Sequence, residues 1–155
     1  MKTVNALALQ PSVSETMGLS YAELELTNYD DLALAKAGRV KEDEVRHLKA
    51  TFLADTGAAM LGINEEISAQ LGLSKVEERL AEMADGSIHS FPVVGPLEVR
   101  FGNRKTYVTA MVLPGNSEPL LGAIPREDMD LIVEPKTQRV IINPAMPFIS
   151  KKPMK

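Results

Sequence analysis

A chain of 155 residues, 45% hydrophobic and 25% charged, has the balance of an ordinary globular domain and is long enough to bury one core. Its formal net charge of −4, with acids and bases mixed along the chain, excludes the basic stripe expected of a nucleic-acid or anionic-membrane binder. The absence of cysteine excludes disulfides, zinc–thiolate sites and thiol catalysis, and the expected setting is reducing and cytoplasmic.

Residues 1–16 carry little pattern and read as a loose leader, with Met17 as an alternative start. Tyr21-Ala22-Glu23-Leu24-Glu25-Leu26 alternates apolar and polar, the period of a half-buried strand. From Tyr29 the period changes. Leu32, Ala33, Leu34, Ala35 and Ala37 favour a helix that Gly38 ends, and Asp30 and Asp31 read as its solvated first turn. Lys41-Glu42-Asp43-Glu44 reads as a solvated face, and residues 46–54 return to strand. Met60-Leu61-Gly62-Ile63 is short and buried in character. Asn64 is placed to cap a brief helix with Ile67 and Leu71 inward and Gly72 at its end.

Val76, Leu80 and Met83 fit a helical stripe, but the turn signal Ala84-Asp85-Gly86-Ser87 and the strand pattern beyond it favour a strand over 78–83. Residues 88–94 are the partner strand. Leu97, Val99 and Phe101 alternate with Glu98 and Arg100, Gly102-Asn103 turns the chain, and 107–113 runs back. A loop over 114–119 leads to Leu120-Leu121-Gly122-Ala123-Ile124, and Pro125 is expected to open a helix reaching Met129. Residues 131–133 and 139–142 flank Pro135-Lys136-Thr137-Gln138 as a second hairpin. Residues 144–155, with Pro144, Pro147 and Pro153, are expected as an extended, loosely held tail. The main domain spans 17–143.

One stretch carries chemistry. Phe52-Leu53-Ala54 runs into Asp55-Thr56-Gly57-Ala58, an apolar strand that stops at a single carboxylate in a tight turn. Glycine permits close backbone approach and Thr56 can anchor the turn through its hydroxyl. His47 and His89 lie in unrelated contexts, which gives no support to a metal site or a Ser-His-Asp arrangement, and no phosphate-binding loop follows Gly57 or Gly62.

With Leu120-Leu121-Gly122 downstream, this stretch resembles the retroviral-type, retropepsin-like aspartic protease family, in its small stand-alone bacterial and archaeal form. The resemblance covers roughly residues 18–143. It implies a mainly β fold: an acid-protease half-barrel with one or two short helices, plus a helical insert (29–44) before the active-site strand. It implies that Asp55 is the catalytic carboxylate, that Thr56 interlocks with a second chain beside Gly57, and that Gly57 and Ala58 offer backbone groups to an extended peptide. Leu53 and Leu120 match positions that line substrate pockets, and Met83, Ala84, Asp85, Gly86 and Ser87 match the tip of a flap. No cofactor and no metal are implied. Two departures stand out: Ala123 and Met60 occupy the places of an Arg–acid pair in viral members, and the flap tip is more polar than theirs.

Peptide hydrolysis without metal or covalent nucleophile needs one group to take a proton while another gives one. Two carboxyls about 3 Å apart share a proton and titrate as a pair, with aspartic proteases as the type case. The chain holds one Asp-Thr-Gly, so the resemblance implies a homodimer with Asp55 of each copy across a two-fold axis. The rival reading is a non-cleaving dimerisation or peptide-binding module on the same fold. Against it stands Asp55 itself, because facing carboxylates destabilise a dimer unless they share a proton.

Overall fold

The computed structural model describes residues 19–134 and 136–151. The expected leader, Met17, Pro135 and residues 152–155 lie outside them. Strand β1 (Tyr21–Asn28) buries Ala22, Leu24 and Leu26 and turns the alternate positions outward, as its period requires. Asn28 then caps helix α1 (Tyr29–Lys36), its side-chain oxygen accepting from the Asp31 amide at 3.0 Å. A 3-10 turn over Glu42–Glu44 precedes β2 (His47–Ala54). Next come β3 (Leu61–Asn64), α2 (Glu65–Leu71), β4 (Lys75–Glu82), β5 (Ile88–Phe101) and β6 (Arg104–Leu113). The chain ends in β7 (Leu120–Leu121), α3 (Ala123–Asp128), β8 (Leu131–Glu134) and β9 (Arg139–Ile142).

The strands form one sheet in the order β4-β5-β6-β3-β7-β2-β1-β9-β8, and β5 also pairs with β1. That extra pairing, Leu26 against Val99 in antiparallel register, brings β1, β2, β7, β3, β6 and β5 into a closed ring. Closure leaves few exposed strand edges. The ring is filled by Leu24, Leu26, Phe52, Leu61, Ile63, Leu97, Val99 and Leu121, with Leu71 and Met129 packed in from the helices. Outside the ring, β4 extends the order at one end as the hairpin partner of β5, and the β8–β9 hairpin extends it at the other.

The mainly β expectation, with short helices and a helical insert, is met. Asn64 accepts from the Ile67 amide at 2.9 Å and Gly72 ends α2 at φ +61°, as their residue types foretold. Four local expectations change. Residues 88–94 and 97–101 are one strand, interrupted in register at Gly95, where φ is +139°. Helix α3 begins at Ala123, because Gly122 serves as its N-cap, and Pro125 sits inside the first turn, where a missing N–H costs nothing. Asp31, read as part of a solvated helix end, is buried and paired with Arg46. The 144–151 segment runs through turns and bends and is tied down. Asn103 donates to the Pro147 carbonyl at 2.9 Å, buried Arg104 donates to the Met146 carbonyl, and the Lys151 amide donates to Asp130 at 2.9 Å.

The insert is tied down by the same Asp31. Its carboxylate receives the Arg46 side chain at 2.8 and 3.0 Å and the Arg46 amide at 3.0 Å. The Arg46 hydrogen bond, against the opposing effect of burial, holds the Asp31 carboxyl below its ordinary range. The Asn28 side chain also donates to the Leu71 carbonyl at 2.8 Å, joining the insert to the end of α2.

Candidate active site

Asp55 stands where β2 ends, and β2 is held on both sides. Leu53 pairs with Tyr21 of β1 and, in parallel, with Leu120 of β7. The backbone continues that grip into the turn: the Ala54 amide donates to the Ser20 carbonyl at 2.8 Å, and the Asp55 amide donates to the Leu121 carbonyl at 3.1 Å. The turn closes on itself as the Ala58 amide donates to the Asp55 carbonyl at 3.1 Å. The half-buried Asp55 carboxylate accepts from the Gly57 amide at 2.9 Å through Oδ1. Its Oδ2 has no hydrogen-bond partner among the described residues.

The far side of the turn is fastened to α3. The Ala123 and Ile124 amides, which a helix start leaves without intrahelical partners, donate to the Ala58 and Ala59 carbonyls at 2.8 and 2.9 Å. Gly122 lies so close beneath that a Cβ there would sit 2.2 Å from the Met60 carbonyl oxygen. The loop is therefore braced by backbone contact. Among the described residues no ion pair reaches residues 55–62, in keeping with the uncharged Ala123 and Met60. The Arg79 guanidinium does touch the Met60 sulfur at 3.3 Å, joining the stem of the β4–β5 hairpin to the end of the loop. A shallow open pocket beside this contact is lined by Met60, Leu61, Val108, Thr109, Ile124 and Pro125, with Arg79.

Asp55, Thr56, Gly57 and Ala58 thus share one turn, and Leu53 and Leu120 lie side by side, both half-buried. The backbone groups at the turn divide unevenly. Both the N–H and the C=O of Ala58 are engaged within the chain, as is the N–H of Gly57. Of the four backbone groups of Gly57 and Ala58, the Gly57 carbonyl alone lacks a partner among the described residues, which narrows the expectation that both residues offer backbone groups. The Thr56 hydroxyl is exposed and likewise makes no hydrogen bond among the described residues.

Residues 83–87 form the tip of the β4–β5 hairpin. The Met83 amide donates to the Ser87 carbonyl at 2.8 Å, the Gly86 amide donates to the Met83 carbonyl at 2.9 Å, and Gly86 takes φ +86°. No hydrogen bond among the described residues links this tip to the Asp55 turn. Sequence reasoning missed a chain of side chains here. The Ser87 hydroxyl and amide both donate to Asp85 Oδ1, at 2.5 and 2.9 Å, and His89 Nε2 lies 3.0 Å from Ser87 Oγ. The hydroxyl hydrogen bond, ahead of the amide, lowers the Asp85 carboxyl from its ordinary range. The signal was available: Asp, Ser and His two apart, leaving a turn into a strand, fall on one face.

The aspartyl protease family profile matches residues 38–123, more than half of the chain, from the approach to β2 through the start of α3. The chain belongs to the aspartyl protease family. The resemblance drawn from Asp55-Thr56-Gly57-Ala58 and Leu120-Leu121-Gly122 is thereby borne out as to family, and membership supports a protease-like function. Among solved structures the chain is similar to a retropepsin-like aspartic protease from Rickettsia conorii. The two are 16% identical over 68% of this chain and 79% of that one, with a TM-score of 0.39. No curated protein matches the chain. As an aspartyl protease family member it has β1, α1 and the β8–β9 hairpin as elements lying wholly outside the matched region. Among the described residues no three His, Asp or Glu side chains are grouped to hold a metal, and no helix is long and apolar enough to cross a membrane.

Proposed function

We propose that the protein is a homodimeric aspartic endopeptidase in which Asp55 of each copy forms half of a water-activating pair. The observation that carries this reading is the turn itself. A single carboxylate is held through Oδ1 by the Gly57 amide, on a loop fixed at both ends by backbone hydrogen bonds, with Oδ2 unpartnered among the described residues. Preorganisation of this kind is what an acid–base group requires.

One carboxylate takes the proton of water while its counterpart, protonated, donates to the peptide carbonyl oxygen; the roles then reverse. A second copy supplies the counterpart, and the exposed Thr56 hydroxyl is the group that would interlock the two turns. The Gly57 carbonyl is the acceptor for the N–H of an extended peptide, Leu53 and Leu120 receive its side chains, and residues 83–87 cover it as a flap. A shared proton makes turnover peak below neutral pH and fall as that proton is lost.

The test pairs two measurements. Wild type and Asp55→Asn are incubated with a peptide library from acid to neutral pH, and both are weighed by sedimentation. Cleavage by a wild-type dimer and none by the Asn variant is the expected result. Dimers of both with no cleavage by either would leave a binding module, and a monomer that cleaves would refute the two-chain site.

A further inference from the structure

The β4–β5 hairpin has two unlike faces. Leu80 lies opposite Ser90, and Ile88 opposite Glu82, on a face where Leu80 and Ile88 are 70% and 66% exposed. The other face carries Glu77, Arg79, Ala81, His89, Phe91 and Val93. Here Phe91 and Val93 are buried and Arg79 reaches the Met60 sulfur at the end of the Asp55 loop. The inner face is therefore the one turned toward that loop. His89 lies on it, its ring 6.3 Å from that of Phe91, and the side chains of Ser87 and Asp85 continue the same line to the tip.

Proton counting fixes the direction of the chain. Ser87 has one hydroxyl proton, and at 2.5 Å it goes to the Asp85 carboxylate, which can only accept. Ser87 Oγ must then accept from His89, so Nε2 carries a proton. Both the Nε2–H tautomer and the imidazolium satisfy this, whereas the Nδ1–H tautomer would set lone pair against lone pair.

We propose that His89 and Ser87 are positioning residues for the flap. Nε2–H of His89 donates to Ser87 Oγ, whose hydroxyl donates to Asp85, bracing the tip in one shape for an extended peptide. The backbone bonds of Met83, Gly86 and Ser87 close the turn, and the side-chain relay ties that turn to the inner face of β5. A polar tip thereby gains order that a glycine-rich tip lacks. The proposal rests on the protease reading above, and its test has one arm that does not depend on cleavage.

The test is amide hydrogen exchange at Gly86 and Ser87, measured with peptide kinetics in four variants of exposed or half-buried positions. Ser87→Ala and His89→Leu remove a link. Ser87→Thr keeps the hydroxyl, and His89→Gln keeps an N–H donor at similar reach. Loss of a hydrogen bond at an exposed site should speed exchange and raise KM about three- to ten-fold, leaving kcat close to wild type. The Thr variant should keep wild-type exchange, and the Gln variant should stay near wild type in both readouts. Unchanged exchange in His89→Leu, or His89→Gln behaving as His89→Leu, would overturn the relay. Exchange that follows the series with KM indifferent to it would overturn the positioning role. Exchange that follows the series in a protein that cleaves nothing would support the relay and refute the protease reading.

Discussion

Gly122 is where the fold and the candidate site are most tightly joined. Its backbone, at φ −81° and ψ 177°, is open to any residue, so a side chain there is refused by space alone. A Cβ would stand 2.2 Å from the Met60 carbonyl oxygen and 2.7 Å from the Ala59 carbonyl carbon and oxygen. That is about 1 Å short of ordinary contact, and the obstructing atoms are backbone that cannot swing aside. In Gly122→Ala the loop must move by about that distance, at a cost of about 1–3 kcal/mol. For a chain of this size the melting temperature should fall by roughly 2–4 °C per kcal/mol. If the turn is catalytic as proposed, a displacement of about 1 Å there should also lower kcat/KM about 100-fold. Gly62→Ala is the control, because its Cβ would meet the Leu113 side chain at 3.1 Å, which can yield, and Leu120 Cβ at 3.4 Å, with no backbone atom among its nearest neighbours. Thermal unfolding and peptide cleavage of both variants against wild type are the assays. A Gly122→Ala protein that melts with wild type and cleaves at its rate would refute the claim that β7 and α3 brace the loop by backbone contact.

Two further outcomes follow from depressed carboxyls. Asp31 is held below its ordinary range mainly by Arg46, so its contribution to stability is present above the usual carboxylate range and is lost as pH falls through the depressed value. Asp31→Asn should cost about 1–2 kcal/mol in urea unfolding at neutral pH and much less in acid; equal losses at both would contradict this. Asp130 is likewise depressed, first by the Lys151 amide, then by Asn143 and Arg104. The Lys151 amide should exchange slowly at neutral pH and lose that protection in Asp130→Gly, a change that the φ of +56° accepts. Protection unchanged in that variant would show that the 144–151 segment is held elsewhere.

The sequence by itself determined what local chemistry can write. Alternation placed β1. The Asn64 amide side chain and Gly72 marked both ends of α2, and an apolar run cut off by Asp55-Thr56-Gly57 located the turn. Each of these depends on neighbours a few residues apart. Burial decided the rest, and burial depends on pairings far apart in sequence. Leu26 against Val99 closes the ring, and nothing near either residue announces the other. Asp31 read as a solvent-facing charge, yet folding placed Arg46 over it, and folding also gathered Asp130 with the Met129 and Met146 carbonyls around buried Arg104. Gly122 was legible as part of a motif, but the need for glycine arises only because Ala59 and Met60, some sixty residues earlier in the chain, fold down onto it. Side-chain type is local information, whereas the space a side chain is allowed is set by whatever the rest of the chain packs against it.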